Sequence, residues 1–112
     1  MSCLFCDIAQ GRIPAQKVYE DDLMLAFKDL NPQAPVHVLL IPKMHIESMA
    51  KVDDAGAQAV AHIFEKVPAI ASALGCEESF RFVSNCGAEA GQSVMHLHFH
   101  MLAGRKFAWP PG

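Results

Sequence analysis

The chain has 112 residues, a formal charge of -3 with neutral histidines, and a hydrophobic fraction of 52%. That length makes one domain, residues 1–112, able to bury about two thirds of the surface its unfolded form exposes without disulfide staples. Its nine Lys and Arg are scattered singly, which disfavours a nucleic-acid binder, and no apolar run approaches the roughly 20 residues of a membrane span.

The opening stretch, MSCLFCDIAQGRIP, lacks a basic start and an apolar signal core, so export is not expected. A cytoplasmic chain would keep its four cysteines reduced. Cys3 and Cys6 form a C-x-x-C pair that alone fits a redox pair, an incidental one or half of a zinc site. No strand precedes it and no long helix clearly follows, which argues against a thioredoxin-like motif.

Lys17 to Leu30 reads as a β-hairpin with an acidic turn at Glu20, Asp21 and Asp22. Asn31 to Pro35 breaks the pattern, and Val36 to Pro42 reads as a central strand that Pro42 ends. From Asp53 to Leu74 the apolar residues Ala57, Val60, Ala61, Phe64, Val67, Ala71 and Leu74 mark an amphipathic helix, with Asp53 as N-cap and Gly75 beyond its end. Pro68 should kink or split it. Ser79 to Asn85 alternates as a strand, and Cys86 to Ser93 is a glycine-containing loop. The fold class is therefore α+β: an antiparallel sheet with one long helix packed on one side.

The segment VMHLHFHML, Val94 to Leu102, carries His96, His98 and His100 at alternate positions. In a strand these share one face, while Met95, Leu97, Phe99 and Met101 share the apolar other. Two chemistries suit such a face. A His-x-His pair with a third ligand could hold a catalytic zinc. Alternatively, imidazole is itself a nucleophile, mostly neutral at pH 7. Gly87, Gly91 and Ser93 lie just upstream, where amides and a hydroxyl could hold phosphate oxygens, which favours phosphoryl or nucleotidyl chemistry.

HLHFHML resembles the His-x-His-x-His signature of the histidine triad family. NCGAEAGQSVMHLHFHMLAGRKFAWPPG and AFKDLNPQAPVHVLLIPKMHI are similar to its branch of histidine triad nucleotide-binding proteins, so the resemblance covers nearly the whole chain. It implies a hydrolase that cleaves purine nucleoside phosphoramidates through a covalent nucleotidyl-histidine, with His98 as nucleophile. His100 and His37 match the supporting histidines, and Ser93 the residue near the leaving group. Asn85 and the Gly91 backbone match the phosphate and ribose surroundings, and Asp29 the carboxylate that binds ribose hydroxyls. Leu4, Phe5, Ile8, Phe27 and Leu30 match the base pocket, with ordinary core as the alternative, as much so as the pocket for Ile8 and Leu30. Some members hold a structural zinc ion with the residues matching Cys3, Cys6, His45 and His96. In that case the ring of His96 would sit on metal and its backbone near the ring of His98.

The resemblance also implies a homodimer in which the tail with Trp109 reaches a partner's active site, and the surplus of apolar residues fits an interface. Two other functions stay open: a dinucleoside polyphosphate hydrolase, which uses the same attack on another leaving group, and a nucleotide-binding module without catalysis. Cys76 and Cys86 read as buried free thiols, His62 as a helix-surface residue, and Arg105 and Lys106 as solvated charges.

Overall fold

A computed structural model describes residues 3–112. In chain order the elements are α1 (Leu4–Ala9), β1 (Lys17–Glu20), β2 (Met24–Lys28), β3 (Val36–Pro42), α2 (Asp54–Ala73), β4 (Arg81–Val83) and β5 (Phe99–Ala103). The five strands form one antiparallel sheet in the order β1-β2-β3-β5-β4.

The acidic turn does close a hairpin. Asp21 Oδ1 accepts the backbone N–H groups of Leu23 and Met24 at 2.8 and 2.9 Å, which starts β2. Strand β3 is the sheet's centre, and its alternation gives the sheet two apolar faces. Val38 and Leu40 point into a core with Met24, Ala26, Leu97, Phe99 and Met101 beneath α2. Leu39 and Ile41 point the other way, into a second cluster with Leu25, Phe27 and the α1 residues Phe5 and Ile8. Leu40, Ile41 and Met101 are fully buried, each contributing about 1.5–3 kcal/mol by leaving water.

Helix α2 is capped as expected: Asp53 Oδ1 accepts from the Gly56 N–H at 2.8 Å, and Gly75 takes the left-handed φ of 75° just past the end. On two points it differs from the helix read in the sequence. The helix is not split at Pro68, because this residue lies on the exposed face and water can satisfy the carbonyl of Phe64 that Pro68 cannot reach. Its buried line also runs through Gly56, Ile63, Val67, Ile70 and Ala71, leaving Ala57, Ala61 and Phe64 exposed.

The histidine segment differs too. Only Phe99–Ala103 pairs in the sheet, and His96 and His98 precede the strand. With Leu40 opposite Phe99, the next two positions would set Pro42 against Leu97, and proline has no N–H to extend the ladder. Leu97 instead donates its N–H to the carbonyl of Ile46 at 2.6 Å. Met95 therefore leaves the apolar face and is 44% exposed. Helix α1, six residues long, is a further element covering the sheet face opposite α2, which corrects the expectation of a sheet covered on one side.

Candidate active site

Three histidines meet on the α1 face of the sheet, each with its proton fixed by a partner of known sense. His98 is buried, and its Nδ1–H donates to the backbone carbonyl of His96 at 2.7 Å. A carbonyl only accepts, so Nε2 of neutral His98 carries the free lone pair. The ring of Phe5 packs edge-on against it at 5.0 Å, and the hydroxyl of Ser84 holds the His98 carbonyl at 2.9 Å. Ring and backbone are thus both fixed.

The second chain of bonds begins at a backbone amide. The Gln33 N–H donates to Nδ1 of His37 at 3.0 Å, so His37 carries its proton on Nε2. That Nε2–H lies 2.9 Å from Nδ1 of His100 and 3.4 Å from Oδ2 of Asp29. His100 therefore accepts at Nδ1 and presents Nε2–H as a donor. Burial lowers the pKa of His37 against the opposing pull of Asp29. Burial, with the neighbouring His98 and His37, lowers that of His100 to about 4. Both rings are neutral at pH 7, as a directional relay requires. Asp29, His37 and His100 converge closely enough to suggest metal ligands. The Gln33 amide opposes that use, since it keeps a proton on the His37 nitrogen that would have to ligate.

A cavity of about 260 Å³ opens over these rings. Its walls include His98, His100, Asp29, Ser93 and the apolar Leu4, Phe5, Ile8 and Phe27, while Leu30 lines it yet is fully exposed. Asn85 and Trp109 do not line it. Trp109 is 82% exposed, and the side chain of Asn85 packs near Gly91, whose φ of 99° is left-handed. Sequence reasoning missed Gln92. It is buried, with Oε1 accepting from Gly87 N–H and Nε2 donating to the carbonyls of Glu47 and Val94, so it braces the glycine loop beside Ser93. Its only sequence signal is a polar amide between Gly91 and Ser93.

His96 faces elsewhere. Its Nε2–H donates to the carbonyl of Pro42 at 2.8 Å, leaving Nδ1 as a lone pair. That nitrogen lies 3.3 Å from Cys3 Sγ, 3.5 Å from Cys6 Sγ and 3.3 Å from His45 Nδ1, and Cys6 Sγ is 3.4 Å from His45 Nδ1. A tetrahedral ion with bonds of about 2.0–2.3 Å has ligand–ligand edges of roughly 3.3–3.8 Å, so this donor set fits a closed zinc site. Burial and the adjacent Cys3 thiol push the Cys6 thiol up to about 11, so a cation entering here would displace protons. The three motif histidines do not converge on one metal: His96 turns to the cysteines, while His98 and His100 face the cavity.

Cys76 is buried, but Cys86 is exposed, contrary to expectation. His62 is not simply a surface residue either, since its Nε2 bonds Asp21 Oδ2 at 2.7 Å and ties α2 to the hairpin.

A five-stranded antiparallel sheet with one long helix, carrying an oriented imidazole and a histidine relay in a small cavity, defines a protein of the histidine triad class. The sequence matches the HIT domain family over residues 10–107, and the chain belongs to that family. It is 51% identical over 109 residues to an uncharacterised HIT-like protein from Synechocystis, covering 97% of this chain and 96% of that one. A 14 kDa zinc-binding protein from Zea mays is 40% identical over 97% of this chain and 87% of its own length. The crystal structure of a HIT family hydrolase from Legionella pneumophila superposes with a TM-score of 0.95 at 47% identity, covering 99% of this chain and all of that one.

Proposed function

We propose that the protein is a nucleotide hydrolase that cleaves purine nucleoside phosphoramidates through a nucleotidyl intermediate on His98. The observation that carries this reading is the bond from His98 Nδ1 to the His96 carbonyl, which leaves the opposite nitrogen free beside the cavity. Nε2 attacks phosphorus as the P–N bond breaks, and the leaving amine takes a proton from water relayed through the Ser93 hydroxyl. Water then attacks the phosphorus, the His98–P bond breaks, and nucleoside monophosphate leaves. Two easier displacements replace one hard one. The Nε2–H of His100 is aimed to stabilise charge on the phosphoryl oxygens. Asp29 and the apolar walls would hold ribose and purine.

The Cys3, Cys6, His45 and His96 set is assigned to a structural zinc ion, which would lock α1 to the segment before β5. It leaves no open position for substrate. Reduced thiols there require a reducing compartment, which supports a cytoplasmic location. The working unit is assigned as a homodimer, supported by the exposed Phe64 and Trp109. Among the described residues no helix is long and apolar enough to cross a membrane.

The test is intact mass during turnover of an adenosine phosphoramidate, quenched in denaturant. An adduct of one adenylyl group in the wild type, absent in His98→Ala, supports the reading. Turnover that survives His98→Ala overturns it.

A further inference from the structure

The first proton of the relay through His37 and His100 is fixed from outside it, by Asp29 Oδ2 at 3.4 Å from the Nε2–H and, more closely, by a backbone amide at 3.0 Å from Nδ1. That group, the Gln33 N–H, belongs to an exposed loop between β2 and β3. A free imidazole exchanges between its two tautomers, and an exposed loop amide selects one only if the loop is held still.

Two contacts hold it. Arg105 donates from Nε to the carbonyl of Gln33 at 2.9 Å. Gly104, at a φ of 94°, approaches Pro35 so closely that a Cβ there would lie 2.9 Å from the proline Cβ. Arg105 is itself fixed, unlike an ordinary isolated surface charge. Its guanidinium lies over the ring of Phe107 at 4.3 Å and donates to the Lys106 carbonyl at 3.1 Å. The same ring carries the guanidinium of Arg81, from β4, at 5.0 Å, and Arg81 also donates to the Ala108 carbonyl at 2.9 Å. A planar cation stacked on an aromatic ring has few remaining orientations, so its Nε–H points in one direction.

We infer that Arg105 is a positioning residue for the histidine relay: by gripping the Gln33 carbonyl it aims the Gln33 amide at His37, and so keeps His100 presenting a donor to the cavity. The bonds run from Phe107 through Arg105 and Gln33 to His37 and His100, linking the segment after β5 to the catalytic face. Without Arg105, only the longer contact with Asp29 still favours Nε2–H, and in part of the population His37 moves its proton to Nδ1. Its Nε2 then accepts, and His100 must turn its own proton inward to Nδ1, leaving a lone pair where the substrate's phosphoryl oxygen needs a donor. The consequence for catalysis rests on the hydrolase reading, whereas the tautomer does not.

The experiment is nitrogen-15 NMR of the histidine rings in the full-length protein, comparing wild type, Arg105→Ala and Arg105→Met. The Met variant keeps the aliphatic stem against Phe107 and deletes the donor. In the wild type, His37 and His100 should each show a single Nε2–H tautomer. In both variants His37 should show a mixture, under conditions where the remaining spectrum stays folded. With a turned-over nucleotide substrate, kcat should drop about tenfold while KM changes little, because a transition-state donor is lost in part of the population. A pure Nε2–H tautomer at His37 in a folded variant would overturn the inference, whatever the substrate proves to be.

Discussion

The imidazole of His98 hangs from the carbonyl of His96 at 2.7 Å, while the ring of His96 turns the opposite way, toward Cys3 and Cys6. One residue therefore joins the cysteine and histidine cluster to the proposed nucleophile by its backbone alone. Purified protein should contain one zinc per chain by native mass spectrometry, and Cys6→Ser should lose it. The melting temperature should fall by about 5–10 °C, corresponding to roughly 1–2 kcal/mol. Turnover should fall only partly, since the bond from His98 goes to backbone. Immediate and complete loss on chelation, with no loss of fold, would instead place the metal in the chemistry.

Stability should fall between pH 6.5 and 4 because of the relay. The pKa of His100 is lowered to about 4, chiefly by burial, and that of His37 is lowered for the same first reason. In the unfolded chain both titrate near 6.5, so within this window the unfolded state binds more protons. The relay's contribution is therefore whole above pH 6.5 and lost as pH falls toward the folded-state values. Urea midpoints measured from pH 7.5 to 4.5 should decline, and His100→Asn should flatten part of that decline. Parallel curves for the two proteins would contradict this assignment.

Much of this arrangement was legible in the residues. The β-branched, apolar run Val36–Pro42, the acidic turn at Asp21 and the cap at Asp53 are local signals, and the structure follows them. The histidine segment is legible as a strand only from Phe99 onward. Pairing ends where Pro42 lacks a donor, a fact about the neighbouring strand rather than the segment itself. Helix α1 is too short for a periodic signal, and its stability comes from Phe5 and Ile8 packing on the sheet. Gln92 and Arg105 were illegible for a different reason: their bonds go to backbone atoms far along the chain, at Glu47 and Gln33. The tautomers likewise follow from partners that only the fold brings near.

Asp21 should matter for stability and not for chemistry. It accepts from Tyr19 Oη at 2.8 Å, from two backbone amides and from His62 Nε2 at 2.7 Å, joining the hairpin to α2. These bonds hold its carboxyl well below the usual range despite burial, and they push the Tyr19 hydroxyl up. Asp21→Ala strands several donors and should cost about 2–4 kcal/mol, whereas His62→Ala should cost about 1 kcal/mol. Urea denaturation would measure both, with kcat within about twofold of wild type in each variant that folds. Because Asp21 is depressed, its contribution is present above pH 4 and lost as pH falls further.

Gly104→Ala should be costly out of proportion to one methyl group. A φ of 94° is unfavourable for alanine, and the new Cβ would meet Pro35 at 2.9 Å. Backbone strain of this kind costs about 1–3 kcal/mol. Amide shifts should change in the 31–35 loop as well as near residue 104, and thermal denaturation should show the loss. An unchanged melting temperature would mean that the loop yields without resistance.

Phe64 tests the assembly. It sits on α2, 53% exposed, although its ring packs edge-on to Phe82 and Phe99 at 5.6 and 5.5 Å. A large aromatic half in water beside the stacked pair of half-buried Phe82 and buried Phe99 is what a second copy of the chain would cover. Sedimentation should give twice the 12.2 kDa chain mass, and Phe64→Asp should shift it to the single-chain value at micromolar concentration. If the tail of one copy serves the cavity of the other, this monomeric variant and Trp109→Ala should change preference among leaving groups in the same sense. Their nucleoside monophosphate affinity should move by less than about threefold, because that part of the cavity is built within one chain. A wild-type protein sedimenting as a single chain would end the assignment and leave Trp109 outside the site.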